Sequence, residues 1–204
     1  MSKNLILVLF SLIIISCKQK NKFVLNENAS EIDKIILSVI TEDSLKVIKN
    51  NNENNVVIEY LEKREIIAPK PIPEDSLIVI IEENKLMIND LFEFWQIEKS
   101  KGFDKKDSLY LLSQNTNPDS LRISNNLLNK IEHLKLSKTL NEIKKGNHKK
   151  YFTFTIPIIS KDKTKAYVES GYHCGGLCGS GRAYFLEKID GKWKVIAKWR
   201  TWIS

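Results

Sequence analysis

The sequence predicts an α+β fold: helices packed on an antiparallel sheet that ends in a four-stranded C-terminal β-meander. Two observations predict it. An early segment places apolar residues at helical spacing, and residues 151–204 alternate apolar and polar side chains between short turns. The chain has 204 residues, of which 42% are hydrophobic, and this suits one domain with a well-buried core.

The N-terminus has the pattern of an export signal. Lys3 precedes an apolar run from Leu5 to Ile15, whereas a bilayer span needs roughly 20 apolar residues. The run ends in Ile14-Ile15-Ser16-Cys17, which resembles the lipobox of bacterial lipoproteins. That resemblance implies cleavage after Ser16 and a lipid with palmitate-type acyl chains on Cys17.

These features divide the chain into a signal peptide over residues 1–16, a lipidated flexible tether over 17–28 and a single domain over 29–204. The lipid would tie the protein to a membrane of the cell envelope. Lipoproteins that Bacteroidetes-like bacteria export to the cell surface resemble one another in carrying acidic residues just after the cysteine. Here Lys18-Gln19-Lys20-Asn21-Lys22 follows instead. We therefore expect an outer-membrane protein that faces the periplasm.

The net charge of +7 is unevenly distributed. Residues 17–129 hold 15 basic and 19 acidic side chains, and residues 130–204 hold 16 basic and 6 acidic ones. The basic half is interpreted either as the solvated face of a sheet or as a surface that attracts anionic lipid headgroups or an acidic protein. Nucleic acid is not an expected partner of an exported lipoprotein.

The first part of the domain predicts one long helix followed by a strand. Ser30-Glu31-Ile32-Asp33 resembles a capping box, and the apolar stripe after it predicts a helix that fades near Asn50. That stripe is formed by Ile32, Ile35, Ile36, Val39 and Ile40. Val56–Leu61 predicts a strand, and the prolines that follow predict an extended connector; they are Pro69, Pro71 and Pro73.

The middle of the chain predicts further strands and a second helical region. Ser76–Glu82 and Lys85–Ile88 are typical of two strands joined by a turn, and Leu109–Leu112 is another strand candidate. Asn117-Pro118-Asp119 predicts a helix N-terminus, and Lys144-Lys145-Gly146-Asn147 predicts the end of that helical region. A bulky apolar patch is expected in the core and is formed by Leu91, Phe92, Phe94 and Trp95.

Residue alternation predicts the C-terminal meander. Tyr151–Ile156 and Lys165–Tyr172 alternate as strands with one buried face, and Asp190-Gly191 is a strong hairpin signal. In the last strand, one face is expected to hold Trp193, Val195, Ala197 and Trp199, and the other Lys192, Lys194, Lys198 and Arg200. We therefore expect the two tryptophans to be buried on the same side.

Four segments near the C-terminus resemble the tail of a group of uncharacterised exported lipoproteins of Bacteroidetes. They are Cys174-Gly175-Gly176-Leu177-Cys178-Gly179-Ser180-Gly181, Leu186-Glu187-Lys188, Asp190-Gly191-Lys192-Trp193-Lys194-Val195 and Trp202-Ile203-Ser204. The resemblance covers about the last quarter of the chain and implies no activity. The Gly-Lys-Trp-Lys-Val strand is also similar to the closing strands of nuclear-transport-factor-2-like (NTF2-like) cone folds.

Two cysteines remain if Cys17 is acylated, and an exported protein enters an oxidising compartment. This favours a disulfide between Cys174 and Cys178, with a zinc site or a reactive thiol as alternatives. The residues around them could instead form a loop whose backbone amides hold a ligand or an anion; they are His173, Gly175, Gly176, Gly179, Ser180 and Gly181. We predict no catalytic residue, metal or cofactor, because the spacing matches no catalytic or phosphate-binding motif.

The sequence therefore predicts a lipid-anchored cell-envelope protein with a non-enzymatic binding function. Its expected partners are the membrane, through Cys17, and an acidic protein or a small molecule. Two alternatives stay open. One is a small periplasmic enzyme, or a metal or redox protein, that uses the glycine-rich loop at Cys174 and Cys178. The other is an immunity-type lipoprotein that binds a toxin.

Overall fold

The computed structural model describes residues 23–49, 55–69, 84–93, 102–145, 150–175 and 178–204. The predictions on the signal peptide, on Cys17, on the strand at 76–82 and on Phe94 and Trp95 lie outside the described residues. By its backbone contacts the chain divides into two units, residues 1–31 and Ile32–Ser204. The sheet and both clusters of buried residues belong to the second unit.

The described part of the chain mixes helices with short strands and ends in three long strands. The helices are α1 Phe23–Glu42, α2 Ile88–Phe92, α3 Ser108–Ser113, α4 Asn125–Leu128 and α5 Leu136–Lys144, with 3₁₀ turns at Lys105–Asp107 and Gln114–Thr116. The strands are β1 Val56–Ile58, β2 Tyr60–Glu62, β3 Glu65–Ile67, β4 Lys85–Met87, β5 Ser120–Arg122, β6 His133–Leu134, β7 Tyr151–Phe154, β8 Ile158–Ile159, β9 Lys165–Gly175, β10 Cys178–Ile189 and β11 Lys192–Ile203.

Seven of the described strands form one sheet, in the order β11-β10-β9-β7-β1-β6 with β8 beside β9. The strands β7, β9, β10 and β11 are antiparallel neighbours and form the predicted four-stranded meander. β1 is parallel to both β6 and β7. The α+β fold class is confirmed, and the sheet is mixed rather than antiparallel throughout.

The sheet has a buried cluster on each face, because consecutive residues of a strand point to opposite sides. One side, here called the helix face, carries Ala166, Val168, Ser170 and Tyr172 of β9 and packs on the apolar stripe of α1. The other side, here called the front face, carries Tyr167, Glu169, Gly171 and His173. Its cluster joins Tyr167 to β3, α2, α3 and Phe103.

β11 changes faces along its length because β-bulges interrupt its pairing with β10. Trp193 packs in the cluster of the helix face, whereas Trp199 packs against the cluster of the front face. The cause is a register shift that leaves Ile196 without a partner on β10. The prediction that Trp193 and Trp199 share a side is therefore wrong.

The helix α1 begins and ends earlier than the sequence predicts. It starts before Ser30, the predicted N-cap, and it ends at Glu42 rather than near Asn50. Ser44 and Lys46 then take positive φ angles of 47° and 57°. A right-handed helix does not continue through such angles, so the chain turns away towards the sheet.

Two local predictions in the middle of the chain are wrong. Leu109–Leu112, predicted as a strand, lies in helix α3. Asn117-Pro118-Asp119, predicted as a helix start, leads into β5, because Ser120–Arg122 pairs with β2. Ser124 caps the next helix instead, where its Oγ accepts a hydrogen bond from the N–H of Leu127 at 3.4 Å. Pairing between distant strands overrides the local signals here.

Other predicted elements are present with changed partners or bounds. The strand predicted over Val56–Leu61 is divided at Glu59, with β1 in the large sheet and β2 paired with β5. β4 pairs in parallel with β3. α5 ends at Lys144, as predicted. Asp190 and Gly191 form the predicted hairpin turn, with φ angles of 51° and 73°.

Candidate functional site

The two cysteines of the hairpin between β9 and β10 form the predicted disulfide. Cys174 and Cys178 are joined, with their Cα atoms 5.2 Å apart. Gly175 takes a φ angle of 96° beside the bond, a conformation that glycine adopts without strain. The disulfide prediction is confirmed, and the bond fixes the end of the hairpin next to His173.

The other described glycines of the predicted ligand loop lie in a strand. Gly179, Ser180 and Gly181 belong to β10, where Gly179 pairs with His173 of β9. Gly176 lies outside the described residues. A backbone site for an anion at this loop therefore stays a prediction. The strand geometry gives two of these glycines a different structural role.

Three glycines of the front face make room for the indole of Trp202. A Cβ at Gly181 would overlap the indole Nε1 and Cδ1. A Cβ at Gly179 would lie 3.0 Å from Cζ3, and one at Gly171 would lie 3.5 Å from Cζ2. Because atoms of both indole rings make these contacts, the ring lies along the sheet. Trp202 is still 37% exposed, so part of its apolar surface remains open.

Trp202 reaches the front face through a second bulge in β11. Arg200 pairs with Arg182, whereas Trp202 pairs with Gly181, and this leaves Thr201 as an extra residue. In a regular strand Trp202 would point to the same side as Arg200, which is the helix face. The bulge therefore turns the indole towards the glycines.

An open cleft of about 570 Å³ lies on the front face beside Trp202. The connection between β2 and β3, the strands β7 and β9, and the end of β11 form its walls. The side chains that define it include Arg64, Thr153, Glu169, His173 and Trp202. Its volume lies within the range of small-molecule sites, roughly 300 to 1,000 Å³.

Two polar side chains on the floor of the cleft have no hydrogen-bond partner among the described residues. They converge above Gly171, where an added Cβ would lie 2.7 Å from Thr153 Oγ1 and 3.0 Å from His173 Nε2. The imidazole is stacked on Tyr151, with the ring centroids 4.7 Å apart. Burial lowers the pKa of His173 against an opposing effect of Glu62. The ring is therefore neutral at pH 7 and can both donate and accept a hydrogen bond.

The rear of the cleft is a fixed ion pair. Glu169 is 7% exposed, and its Oε2 accepts hydrogen bonds from Arg64 Nη2 and, at 3.1 Å, from Arg64 Nε. Its Oε1 accepts a hydrogen bond from the Tyr167 hydroxyl at 2.7 Å. Burial and the nearby carboxylate raise the pKa of Tyr167, so the hydroxyl keeps its proton. Both oxygens of Glu169 are thus occupied within the protein.

A second polar cluster lies on the helix face. The side chain of Asp43 is 1% exposed and accepts hydrogen bonds from Lys198 and Arg182, each at 2.6 Å, and from the Tyr184 hydroxyl at 2.7 Å. Burial raises the pKa of Asp43, but the bonds from Lys198, Tyr184 and Arg182 outweigh burial and hold it below its usual value. This cluster anchors the end of α1 on the sheet.

A third cluster centres on Glu59, which is 6% exposed. Its carboxylate bonds to Arg122 Nε at 3.0 Å and to His133 Nδ1 at 3.1 Å. Burial raises the pKa of Glu59, but these two partners lower it by more. The described residues contain no group of three or more histidine, cysteine or acidic side chains that could hold a metal ion.

The sequence carried one signal for the cleft that a search for motifs does not use. Glu169, Gly171 and His173 alternate along β9, so a strand assignment places all three on one face. Arg64 gave no such signal, because it is 105 residues away from Glu169. Trp202 gave none either, because the bulge that turns it is not visible in the alternation.

Comparison with protein-family models, with curated proteins and with solved structures finds no match for this chain. The resemblances to Bacteroidetes lipoproteins and to NTF2-like folds stay predictions. Among the described helices, none combines the length and the apolar character that a membrane span requires. The cleft therefore has to be interpreted from its own chemistry.

Proposed function

We propose that this protein is a lipid-anchored binding protein of the cell envelope and that its front-face cleft holds a small ligand. The anchor is a lipid on Cys17, and the location is the outer membrane facing the periplasm. One observation carries the binding role. Thr153 Oγ1 and His173 Nε2 converge above Gly171, beside the exposed indole of Trp202.

The floor of the cleft has the features of a binding site. Polar groups without a protein partner need water or a ligand to satisfy them, and a ligand that replaces the water gains directional bonds. The indole adds apolar contact area beside these groups. An apolar wall with a few converging polar groups is the general composition of small-molecule sites.

The same residues favour binding over catalysis. A general acid or base must exchange a proton with the substrate, and both carboxyl oxygens of Glu169 are already hydrogen-bonded to Arg64 and Tyr167. A nucleophilic cysteine must be a free thiolate, and Cys174 and Cys178 are joined. The carboxyl group thus stabilises the rear of the cleft, and the disulfide stabilises the hairpin.

The anchor is tested by labelling growing cells with a radioactive fatty acid. The full-length wild type should carry the label and sediment with the membranes. Cys17→Ala should lose both the label and the membrane association, because no other residue of the predicted signal can accept the lipid. A labelled Cys17→Ala variant would exclude the proposed anchor.

The cleft is tested with the full-length protein extracted in detergent from the cell that makes it. The small-molecule fraction of that cell's envelope should raise the unfolding temperature of the wild type, because a ligand that binds the folded state stabilises it. Trp202→Ala should show no such shift.

Ile203→Ala is the matched control for this experiment. Ile203 adjoins Trp202 and is 66% exposed, but it does not line the cleft, so the variant should respond like the wild type. An equal shift in Trp202→Ala would exclude the cleft as the site. A shift given by the protein fraction alone would favour the toxin-binding alternative.

A further inference from the structure

We infer that the ligand of the cleft is an uncharged saccharide unit. In this arrangement the C–H face of a sugar ring packs on the indole of Trp202, and hydroxyl groups of the sugar bond to Thr153 and His173. The inference rests on the proposed binding function and specifies its ligand. Three features of the cleft support it: the aromatic platform, the character of the free polar groups and the balance of charge.

Trp202 provides a flat apolar platform at the edge of the cleft. The glycines at positions 171, 179 and 181 let one side of the indole settle against the sheet, so the ring is fixed before a ligand arrives. A sugar ring presents C–H groups on its faces and hydroxyl groups around its rim. Its faces can therefore pack on an indole, and a preorganised ring loses little conformational entropy on binding.

Thr153 and His173 can each donate and accept a hydrogen bond. A hydroxyl has one donor and two acceptor positions, and a neutral imidazole has one of each. Sugar hydroxyls can also donate and accept, so either the sugar or the protein can be the donor in each hydrogen bond. Stacking on Tyr151 fixes the plane of the imidazole, and the two protein groups come together over Gly171.

The charges of the cleft favour a neutral ligand. Arg64 is paired with Glu169, and Lys63 is paired with Asp119 at 2.7 Å. An anion would have to compete with these carboxylates, and a cation would have to compete with Arg64 for Glu169. Glu62 lies at the rim and is exposed, so water and salt screen it. A polyol can bind without breaking either ion pair.

A quaternary ammonium ion, which aromatic side chains also bind, fits the cleft less well. Such ions are held in cages built from aromatic rings. Here Tyr151 covers one face of His173, with an angle of 13° between the ring planes, and Trp202 lies beside the same imidazole, with the ring centroids 5.6 Å apart. The open aromatic surface therefore comes from Trp202, and one platform matches a sugar ring better than a spherical cation.

Isothermal titration calorimetry of the detergent-extracted full-length protein tests this inference. The probes are short neutral fragments of α-glucan, β-glucan, mannan, galactan and chitin, with sialyllactose as the anionic and choline as the cationic comparison. At least one neutral probe should bind, and neither charged comparison should. Trp202→Ala should lower the affinity about tenfold or more, Trp202→Phe should lower it less, and Ile203→Ala should leave it unchanged.

Thr153→Val separates hydrogen bonding from packing, because valine keeps the shape of threonine without the hydroxyl. It should lower the affinity several-fold and leave the unfolding temperature of the free protein unchanged. If sialyllactose or choline binds and Trp202→Ala abolishes that binding, the inference of an uncharged ligand is wrong, but the proposed binding function is supported. If none of the neutral probes binds, the inference is also wrong. The proposed binding function is tested separately. It is wrong if the envelope extract gives no rise in unfolding temperature that depends on Trp202.

Discussion

Trp202 lies against Gly181 of the neighbouring strand, and the two residues fit because glycine has no side chain. They are paired across the ladder between β10 and β11, and a Cβ at Gly181 would overlap the indole. Glycine at this position serves a close approach rather than a turn. The contact fixes the ring that forms one wall of the cleft.

Gly181→Ala should displace this indole and destabilise the fold. The added methyl group overpacks the contact, which typically costs about 1 to 3 kcal/mol. Urea denaturation measures the loss in the free energy of unfolding. Tryptophan emission should shift in the same variant, because the exposure of Trp202 changes.

Ser180→Ala is the matched control for that variant. Ser180 precedes Gly181 in β10 and pairs with Tyr172, so it lies on the helix face. Its substitution should leave both the stability and the emission of Trp202 close to those of the wild type. If Gly181→Ala also left the stability and the emission unchanged, Gly181 and Trp202 would not be in close contact.

Cys174→Ser and Cys178→Ser should lower stability by the same amount, because each removes the same bond. Chain entropy gives about 2 kcal/mol for a loop this short, and the double variant should be no less stable than either single one. Urea denaturation without reductant measures the three variants. If one single variant stayed as stable as the wild type but lost ligand binding, a reactive thiol would be the better explanation.

Asp43→Asn should destabilise the fold strongly. The carboxylate is 1% exposed and neutralises Arg182 and Lys198, so the amide leaves both cations without their counter-charge. We expect the free energy of unfolding to fall by about 2 to 3 kcal/mol. Asp119→Asn is the control, since Asp119 is 97% exposed in its ion pair with Lys63 and its loss should be unmeasurable. Equal stability of the two variants would show that the Asp43 cluster is not an anchor.

Acid should destabilise the protein through Asp43 and Glu59. Burial raises the pKa of both carboxyls, but their hydrogen-bonded partners lower it by more and hold it below the ordinary values of 3.8 and 4.5. The unfolded chain therefore binds protons first as the pH falls. The two carboxyls contribute fully to stability when the pH is above their ordinary pKa values. This contribution is lost as the pH falls through their lowered pKa values in the folded protein.

Urea denaturation over a series of acidic pH values measures this dependence. Asp43→Asn and Glu59→Gln should each make the fall in stability less steep, because each removes one carboxyl that is protonated more readily in the unfolded chain. A profile as steep as that of the wild type in both variants would mean that other groups control the acid response.

The sequence predicted those parts of the fold that depend on residues close together in the chain. Asp190-Gly191 supplies the positive φ angles of a tight turn, and alternation along β7 and β9 predicted strands of the meander. The pairing of Cys174 with Cys178 followed from their number and from the compartment that the N-terminus predicts. None of these predictions needed a contact between distant segments.

The faces of β11 could not be predicted in the same way. A bulge shifts the register by one residue, and every side chain beyond it then points to the opposite side. The bulges at Ile196 and Thr201 each have this effect, and neither position carries a glycine or proline that would indicate it. Alternation alone therefore placed Trp199 on the wrong side.

Of the residues that line the cleft, only His173 was predicted, as part of a ligand or anion loop. Thr153 lies on the neighbouring strand β7, and alternation within one strand does not show which residues of β7 and β9 lie side by side. Arg64 and Glu169 come from segments that meet only in the folded sheet. These residues could not be grouped into one site from the sequence because they are far apart along the chain.

The most direct test of binding in the cleft is a native, non-reducing mass spectrum of the full-length protein and of its Trp202→Ala variant, each extracted in detergent from the cell that makes it. For the wild type we predict a chain that begins at an acylated Cys17, has lost two hydrogens to the disulfide, and retains a non-covalent adduct of saccharide mass. The variant should show the same chain without the adduct. An adduct of equal abundance in both proteins, or a wild type that carries none, would contradict ligand binding at Trp202.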